Sequence, residues 1–446
     1  MYDYLVGYAQ RDLTPDESVP LSGYGDSRKR LSQGVLKELA ATCIAVTDRD
    51  GNSILLISTD LVWSRKIFVD AVREAISKAT GVPESHIMLA ATHSHSAPDQ
   101  GATDLECVVR YNEKYVSAIV AAGIAAFEDR KEAEMFGTVT ETEGLNFVRH
   151  YVHEDGTYSG PAFGTSKTPR VRHAYDPDPE MRLVMFKRKE GKDVLVMSWQ
   201  AHATLNSYKR PDTRYFVSSD FVGFTREYLQ QQLDCHFLYL NAANAELNPS
   251  SELPEVDKTR DYGEYGKLLG DTAIRALPRL QKMPAGKVQV RPLTFRAYCE
   301  HSYDHMLPQA ESVVEFWAKD MNHARCDAFA KSLGFTSRAQ ALMLPARSKW
   351  PEFMDMEADV AAIGELAIAT SENEMFSGLG KMLREGSPYS MTFLLTNSNG
   401  VRGYLPVKST WDYGSYETSI TYFVRGTGEK LVEHYIQNLK KLKEEA

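Results

Sequence analysis

The apolar run at residues 87–90 and the sequence THSHSAP at residues 92–98 constrain this chain more than any other feature. A short apolar run followed by small and hydroxylated residues and a proline predicts a buried strand that opens into a loop. If the backbone stays extended there, His93 and His95 point to the same face, with their Cα atoms roughly 6–7 Å apart. Hydrogen-bonded structural histidines show the same spacing, so residues elsewhere must decide whether this is a metal site.

The length and composition indicate an ordinary soluble globular protein. The chain has 446 residues, enough for one large α/β domain or two smaller ones. No segment has the roughly 18 uncharged apolar residues of a membrane span, and the first residues lack a signal sequence, so we expect a cytoplasmic protein. The net charge of -9 argues against nucleic acid and favours a small-molecule substrate, while a homo-oligomer stays open.

Five cysteines are scattered along the chain without a C-x-x-C pair. This pattern fits reduced thiols better than a disulfide framework or a thiolate zinc site. A metal ion in this protein would therefore need histidine and carboxylate ligands.

The region before the histidines has the pattern strand, helix, strand. Residues 40–46 and 53–58 alternate around Asp50 and Gly51, which predicts a hairpin. Apolar residues at helical spacing follow over 67–76, and the next strand leads to His93. Asp60 and His93 both come directly after strands, where an α/β sheet commonly forms its crevice.

The rest of the chain continues the alternation of strands and helices, with one long polar connection predicted over 146–178. We predict a single α/β domain over residues 1–446, in which helices pack on a large mixed sheet and a mostly helical insertion lies around 300–358. Other predicted strands are 135–142, 181–187, 194–199, 236–240, 288–297, 360–369 and 391–395, and other predicted helices are 111–127, 222–232, 262–280 and 430–443.

Ligand-capable side chains follow several of the predicted strands. A single histidine in such a place is usually structural, but a set of imidazoles and carboxylates at neighbouring strand ends predicts a zinc site there. The members of this set are Asp60, His93, His95, His202, Glu246, Glu374 and Tyr416.

The histidine motif THSHSAP resembles the THTHSGP motif of the neutral/alkaline ceramidase superfamily, which are zinc-dependent amidases that cleave N-acylsphingosines. Further similarities occur in the same order over nearly the whole chain, so a chance match is a poor explanation. They are DLTP at 12–15 with Gly23 and Tyr24, Asp60, His202 with Thr204, SSD at 218–220, Glu374, YLP at 404–406, and Tyr416 with Glu417.

The resemblance implies zinc bound by His93, His202, Glu374 and Tyr416. Glu372 is the alternative to Glu374, which we prefer because of its distance from a glycine downstream. Two neutral imidazoles and one carboxylate leave the ion a net positive charge, enough to bring the pKa of a bound water to about 7.

The resemblance also suggests roles beyond the ligands. His95 would lie beside the metal-bound water, where it would orient the substrate or transfer a proton. We expect Asp60 to hold a ligand histidine by its other ring nitrogen, with a structural hydrogen bond as the alternative. Tyr24, in the opening motif, and Asn146 and Arg149, in the polar connection, are candidates for substrate binding.

One departure from the family changes the expected chemistry. The ceramidases have GDxSP, with a serine implicated in catalysis, where this chain has AELNP at 245–249. Asn248 stands at the serine position and cannot form an acyl intermediate, although it could hydrogen-bond the substrate. The absence of a secretion signal and of length for a C-terminal immunoglobulin-like domain also argues against ceramide itself.

The leading hypothesis is a zinc-dependent hydrolase in which metal-bound water attacks the carbonyl of a small soluble amide or ester. A second hypothesis is zinc-assisted hydrolysis or elimination on a sugar or polyol, with Glu246 or Asp60 transferring protons. A third is a zinc-stabilised ligand-binding module without catalysis, which the lost serine motivates.

Overall fold

The computed structural model describes residues 2–161, 163–164, 166–206, 212–249 and 262–445. The strands in chain order are β1 (Tyr4–Asp12), β2 (Gly34–Lys37), β3 (Ala40–Thr47), β4 (Ser53–Thr59), β5 (Ile87–Ala91), β6 (Lys131–Glu141), β7 (Asn146–Val148), β8 (Tyr151–His153), β9 (Tyr158–Ser159), β10 (Arg170–His173), β11 (Glu180–Arg188), β12 (Val194–Trp199), β13 (Phe216–Ser218), β14 (His236–Asn241), β15 (Leu247–Pro249), β16 (Gln281–Lys282), β17 (Val288–Arg291), β18 (Thr294–Tyr298), β19 (Phe353–Glu357), β20 (Val360–Ile363), β21 (Leu366–Thr370), β22 (Glu374–Met375), β23 (Met391–Leu395) and β24 (Tyr404–Leu405). The helices are α1 (Lys66–Thr80), α2 (Glu106–Glu128), α3 (Asp220–Leu233), α4 (Tyr262–Ala276), α5 (Leu307–Lys319), α6 (His323–Ser332), α7 (Arg338–Arg347), α8 (Ser377–Gly386), α9 (Tyr416–Ile420) and α10 (Thr427–Glu444).

Two sheets face each other in the centre of the protein. In the described part of the chain the larger sheet has the order β14-β12-β11-β6-β1-β3-β4-β5, with β16 added on β6, and the smaller sheet has the order β17-β20-β21-β23. Apolar side chains from both sheets form one core between them, including Leu56, Phe186, Leu240, Ile368 and Phe393. The α/β fold class with a mixed sheet is therefore confirmed.

Helices cover the outer faces of both sheets. The buried side chains of α1 lie at Val69, Val72 and Ile76, on one face of the helix, and Gly81 ends the helix in a left-handed conformation. Together with α2, this face packs on β1, β3, β4 and β5, while α3 and α4 cover the other half of the large sheet. Helices α8 and α10 cover the smaller sheet.

The parallel strand pairs bring distant parts of the chain to one place. Strand β4 runs parallel to β5, β12 runs parallel to β14, and β21 runs parallel to β23. The loop after β5 meets the end of β14, where Nδ2 of Asn241 donates to the carbonyl oxygen of Thr92 at 3.3 Å. Side chains that follow these strands therefore surround a common space.

Most of the predicted elements are present, with three differences. The polar connection predicted over 146–178 contains four short strands, β7 to β10, which the sequence pattern did not indicate. Each of the predicted strands 288–297 and 360–369 is two strands; in the second case Gly364, with φ of 56°, turns the chain between β20 and β21. Helices α5 to α7 enclose a small core of their own, and β19 leaves this insertion to pair with β18.

Among the helices of the described residues, none combines the length and the apolar character that crossing a bilayer requires.

Candidate metal centre

The two motif histidines converge through a turn rather than through an extended strand. Strand β5 ends at Ala91, and His93 has a φ of 66°, a left-handed conformation that is uncommon for a residue with a side chain. The expected extended backbone is therefore wrong, but the rings still meet, with 3.1 Å between Nε2 of His93 and Nε2 of His95. The strained backbone is stabilised by neighbouring loops; for example, the N–H of His95 donates to the carbonyl oxygen of Ala203 at 3.1 Å.

Backbone carbonyl groups fix the protonation of His93 and His202. Nδ1 of His93 lies 2.8 Å from the carbonyl oxygen of Val62, and Nδ1 of His202 lies 2.9 Å from that of Asn244. A carbonyl oxygen only accepts hydrogen bonds, so each Nδ1 carries the proton and each Nε2 presents a lone pair. Burial, together with the positive charge of Arg149, lowers the pKa of His202 to about 4, so this ring is neutral at pH 7.

Glu374 supplies the negative charge at this point. Its Oε2 lies 3.3 Å from Nε2 of His93 and 3.5 Å from Nε2 of His202. The structure places the carboxylate of Glu372 elsewhere, 3.5 Å from Nε of Arg402, which favours Glu374 as the ligand.

These atoms form what we call the donor cluster, defined as His93, His202 and Glu374. Oε2 of Glu374 is buried and has no hydrogen-bond partner among the described residues, and the two Nε2 atoms that face it offer lone pairs rather than protons. Imidazole nitrogen and carboxylate oxygen are the ligand atoms that Zn²⁺ prefers when thiolates are absent. The donor cluster therefore fits a zinc ion, and the ring nitrogens of His93, His95 and His202 also lie within 4.8 Å of one another.

His95 lies between the donor cluster and the aromatic ring of Tyr24. Its ring centroid is 5.0 Å from that of Tyr24, and its Nδ1 is buried with no hydrogen-bond partner in the part of the chain that the structure describes. Burial and the neighbouring His93 and His202 lower the pKa of His95 well below its usual value. Gly23 allows this packing because a Cβ atom there would lie 2.6 Å from the His95 ring, at a φ of 101°.

Tyr416 and Arg149 lie beside the donor cluster. Burial raises the pKa of Tyr416 to about 12, and the charges of Arg149 and Glu374 both act on its phenol. Nη1 of Arg149 lies 3.4 Å from Nε2 of His202, and the residue is 8% exposed. The structure thus brings together three of the predicted ligands, His93, His202 and Glu374, with His95, Tyr24 and Arg149, while a metal contact of Tyr416 stays a prediction.

The predicted role of Asp60 as a support for a ligand histidine is wrong. Both of its carboxylate oxygens lie 2.8 Å from Nη2 of Arg226, and one also accepts from the N–H of Ala40 at 2.9 Å. The histidines bond to backbone carbonyl groups instead, because those groups lie nearer to the Nδ1 atoms. The alternative expectation, a structural hydrogen bond, agrees with this geometry.

Glu246 and Asn146 also hold the fold. The carboxylate of Glu246 accepts from the backbone N–H of Ser377 at 3.0 Å, at the start of α8, where a negative charge stabilises a helix. Nδ2 of Asn146 donates to the carbonyl oxygens of Asp178 and Gln200. The acid–base role proposed for Glu246 and the substrate contact proposed for Asn146 are therefore corrected, since both side chains are bound to the protein itself.

Asn248 lies on β15, opposite Phe147 of β7. Its Oδ1 is buried and lacks a hydrogen-bond partner within the described ranges. A contact between this oxygen and a substrate stays a prediction.

Two residues of the neighbourhood, Glu417 and His150, were given no role from the sequence, although Glu417 is part of the family resemblance. Glu417 accepts from Nε of Arg149 at 2.8 Å, and its other oxygen lies 2.9 Å from Nε2 of His150. Both follow predicted site residues directly in the sequence, but a neighbour in a chain gives no sign of which long-range partner it will meet.

The sequence of this chain is similar to those of known ceramidases. The family model of neutral/alkaline non-lysosomal ceramidases, N-terminal, matches residues 4–238. Neutral ceramidase 2 of Arabidopsis thaliana is 23% identical over 243 residues, which are 52% of this chain and 30% of that protein. Neutral ceramidase of Pseudomonas aeruginosa is 23% identical over 281 residues, which are 58% of this chain and 40% of that protein. The matches thus span less than half the length of these curated relatives.

Solved structures show the same fold. The superposition on the crystal structure of neutral ceramidase from Pseudomonas aeruginosa includes 100% of this chain and 75% of the ceramidase chain, with a TM-score of 0.75 and 15% identity. A ceramidase complexed with C2 covers 100% of this chain and 76% of its own, with a TM-score of 0.75 and 16% identity. At this level of identity the likeness concerns the fold alone.

Proposed function

Because this chain belongs to the neutral/alkaline non-lysosomal ceramidase family, we propose that it is a zinc-dependent hydrolase that cleaves the amide bond of a small N-acyl compound. The observation that carries the proposal is the donor cluster, in which Oε2 of Glu374 lies 3.3 and 3.5 Å from Nε2 of His93 and His202 and has no hydrogen-bond partner among the described residues. The names of the relatives support the amide bond as the bond cleaved.

The residues around the donor cluster supply the rest of the chemistry. His93, His202 and Glu374, with Tyr416 beside them, would hold a zinc ion, which when bound would lower the pKa of water to about 7 and polarise a carbonyl group. His95, whose Nδ1 has no partner within the described residues, is placed to accept a proton from water or to return one to the leaving amine. Tyr24 packs against His95 and would orient the substrate over it.

Asn248 supports a small substrate and attack by water rather than by a protein nucleophile. An amide side chain cannot form an acyl intermediate, so position 248 supplies no nucleophile, and we favour water as the attacking group. A soluble N-acyl compound, or an ester of similar size, is therefore our preferred substrate class. The sugar hypothesis loses its support because Asp60 and Glu246 are both bound to the protein.

The test measures zinc content and turnover in the same preparations. Wild-type protein should bind about one zinc ion per chain and hydrolyse members of a panel of N-acyl amino acids and N-acyl amines, but no glycoside. His93→Ala should lose both the zinc and the activity. His86→Ala is the matched control because His86 immediately precedes β5, at the opposite end from His93, and it should retain both.

Three results would overturn the proposal. They are wild-type protein without zinc, activity that survives in His93→Ala, and a zinc-bound protein that shows ligand-dependent thermal shifts but turns over none of the panel. The last result would favour the ligand-binding module.

A further inference from the structure

Arg30 is a buried cation beside His95, and its partners are carbonyl groups rather than a carboxylate. The residue is 8% exposed. Its Nη1 donates to the carbonyl oxygens of Ser22 at 2.8 Å and Leu21 at 3.4 Å. Both Nη1 and Nη2 donate to the carbonyl oxygen of His95, at 3.4 and 3.3 Å, and Nη2 also donates to that of Arg214 at 3.2 Å. These bonds hold the guanidinium group against the backbone of His95.

The positive charge of Arg30 has no negative partner among the described residues. The side chains that act on this charge are the phenols of Tyr24 and Tyr215, and burial lowers the pKa of Arg30. A phenol in water is neutral at pH 7, and carbonyl dipoles replace only part of the hydration that a buried cation loses. A positive charge without a counter-charge therefore lies beside the candidate site.

The other buried arginines differ from Arg30 in this respect. In the described ranges each of them has an acidic side chain that acts on its charge. The pairs in contact are Arg73 with Glu357, Arg149 with Glu417, Arg182 with Glu180, and Arg226 with Asp60. The remaining one, Arg347, is influenced by Glu300 and Asp304. For Arg30, a ligand with a negative charge would supply what the protein does not.

The contacts of Arg30 indicate which part of a ligand would reach it. The ring centroid of Tyr24 is 4.9 Å from Cζ of Arg30 and 5.0 Å from the ring centroid of His95. Nε of Arg30 has no hydrogen-bond partner in the described part of the chain, so one N–H group is left for a ligand. In the proposed reaction His95 returns a proton to the leaving amine. The part of the substrate nearest to Arg30 is therefore the leaving group.

We propose that Arg30 binds a carboxylate on the leaving amine, and that the substrates are therefore N-acyl α-amino acids. In these compounds one carbon atom separates the amide nitrogen from the carboxylate, so a nitrogen beside His95 places the carboxylate beside Arg30. The inference rests on the proposed function, which leaves the amine open. Cleavage of the C–N bond sends the hydroxyl group of the water to the acyl carbon and its proton to the nitrogen, which releases a carboxylate and a free amino acid.

The first experiment measures binding without turnover. Levulinate is N-acetylglycine with a methylene group in place of the amide N–H, so it cannot be hydrolysed, and methyl propyl ketone has a methyl group in place of the carboxylate of levulinate. Calorimetry on zinc-loaded wild-type protein should show that levulinate binds about 10- to 100-fold more tightly than the ketone, since a charge-assisted hydrogen bond distinguishes them. In Arg30→Gln this preference should disappear, while the affinities for the ketone and for zinc stay as in the wild type.

Arg347→Gln is the matched control. Arg347 is 2% exposed, and its Nη1 also donates to backbone carbonyl oxygens, those of Ser419 and Thr421, but it lies on α7 in the helical insertion. We expect this variant to keep the wild-type preference for levulinate. Arg30→Lys keeps the charge without the fork of donors, and its preference should be about 3- to 10-fold weaker than that of the wild type.

The second experiment measures turnover. N-acetylglycinamide is the uncharged counterpart of N-acetylglycine. In the wild type, kcat/KM for N-acetylglycine should exceed that for the amide by about 10- to 100-fold, and in Arg30→Gln the ratio should approach one. A change that only damages the site would lower both values together and leave their ratio as it is.

Three results would overturn the inference. They are equal affinities of the wild type for levulinate and the ketone, a preference that survives in Arg30→Gln, and a joint fall of the affinities of this variant for both ligands and for zinc. The second result would assign the carboxylate to the zinc ion, and the third would make Arg30 a structural residue only. If Arg30→Gln does not fold, Arg30→Lys takes its place, and a wild-type preference in that variant would overturn the inference.

Two further outcomes separate this inference from the proposed function. If no N-acyl compound is hydrolysed while Arg30 decides the preference for levulinate, only the proposed function fails. If N-acetylglycinamide is hydrolysed as fast as N-acetylglycine, only this inference fails.

Discussion

Two buried polar clusters follow neighbouring strands of the same sheet and differ in whether their carboxylate has hydrogen-bond donors. In the donor cluster, Oε2 of Glu374 faces Nε2 of His93 and Nε2 of His202 and has no hydrogen-bond partner among the described residues. In the pair Asp60 and Arg226, both carboxylate oxygens lie 2.8 Å from a guanidinium nitrogen. Asp60, His93 and His202 are all 0% exposed, so burial does not distinguish the clusters.

The balance of donors and acceptors does distinguish them. A buried charge is tolerated when an opposite charge and hydrogen bonds compensate for lost hydration. Arg226 provides this for Asp60, whereas the described residues around Glu374 leave its Oε2 without a hydrogen-bond partner. An unbalanced set of acceptors is thus what a cation site would present, and a balanced set is the sign of a structural pair.

Glu374→Gln is the strongest test of this distinction. The substitution keeps the size of the side chain but removes the negative charge from the donor cluster. We expect zinc affinity to fall at least about 100-fold, since changes one shell further out already cost 10- to 100-fold, with a corresponding loss of activity. Chelator competition and metal analysis measure the effect.

Glu372→Gln is the control, because the carboxylate of Glu372 lies against Arg402 rather than against the histidines. It should bind zinc as the wild type does. Retention of zinc by Glu374→Gln would instead assign the ion to His93, His95 and His202.

The elements that place the site were predictable because their signals are local. The hairpin around Asp50 and Gly51, the apolar spacing of α1 and the apolar run of β5 all concern residues within a few turns of one another. The positions of His93 and His202 at strand ends follow directly from those elements. The fold class could therefore be read from the sequence.

The partners inside the site were not predictable in the same way. Asp60 looked like a support for a histidine, but its partner Arg226 lies 166 residues away on α3, and nothing in either segment announces the pair. The turn at His93 departs from the local preference for extended backbone because tertiary contacts stabilise it. Long-range partners depend on the packing of whole elements, which a pattern of residues does not reveal.

Arg226→Met tests the structural pair of Asp60 and Arg226. It leaves Asp60 buried without its counter-charge, and we expect the free energy of unfolding to fall by about 3–5 kcal/mol. Zinc content per folded chain should not change, because Arg226 does not contact the donor cluster. Urea denaturation and metal analysis of the same samples give both values.

The double variant Arg226→Met with Asp60→Asn is the control for that loss. Removing the orphaned charge should recover at least half of the stability, while the asparagine oxygen still accepts from Ala40. A cost below about 1 kcal/mol for the single variant would show that the pair is solvated or redundant.

A third cluster is intermediate between the donor cluster and the pair of Asp60 and Arg226, because it has one buried arginine for two carboxylates. Arg73 pairs with Glu357 at 2.7 Å, and Asp359 lies 4.0 Å from the same nitrogen. Burial and the negative charge of Glu357 raise the pKa of Asp359 to about 7. A proton on Asp359 takes the part that we propose for a zinc ion in the donor cluster.

Asp359→Asn should therefore flatten the pH dependence of stability between about pH 4 and pH 7. In this window the unfolded chain releases the Asp359 proton and the folded protein keeps it, so the free energy of unfolding of the wild type falls as the pH rises, by on the order of 2–4 kcal/mol. Glu417 has a lowered pKa and acts with the opposite sign, but below about pH 4.5. Urea denaturation of both proteins at pH 5 and pH 8 measures the effect, and the zinc contribution cancels in the comparison because both proteins have the same ligands. If the wild type and Asp359→Asn differ in stability by the same amount at both pH values, Asp359 is already ionised at pH 5. Arg73 and Lys66, which lies 3.1 Å from Glu357, would then together balance the two carboxylates.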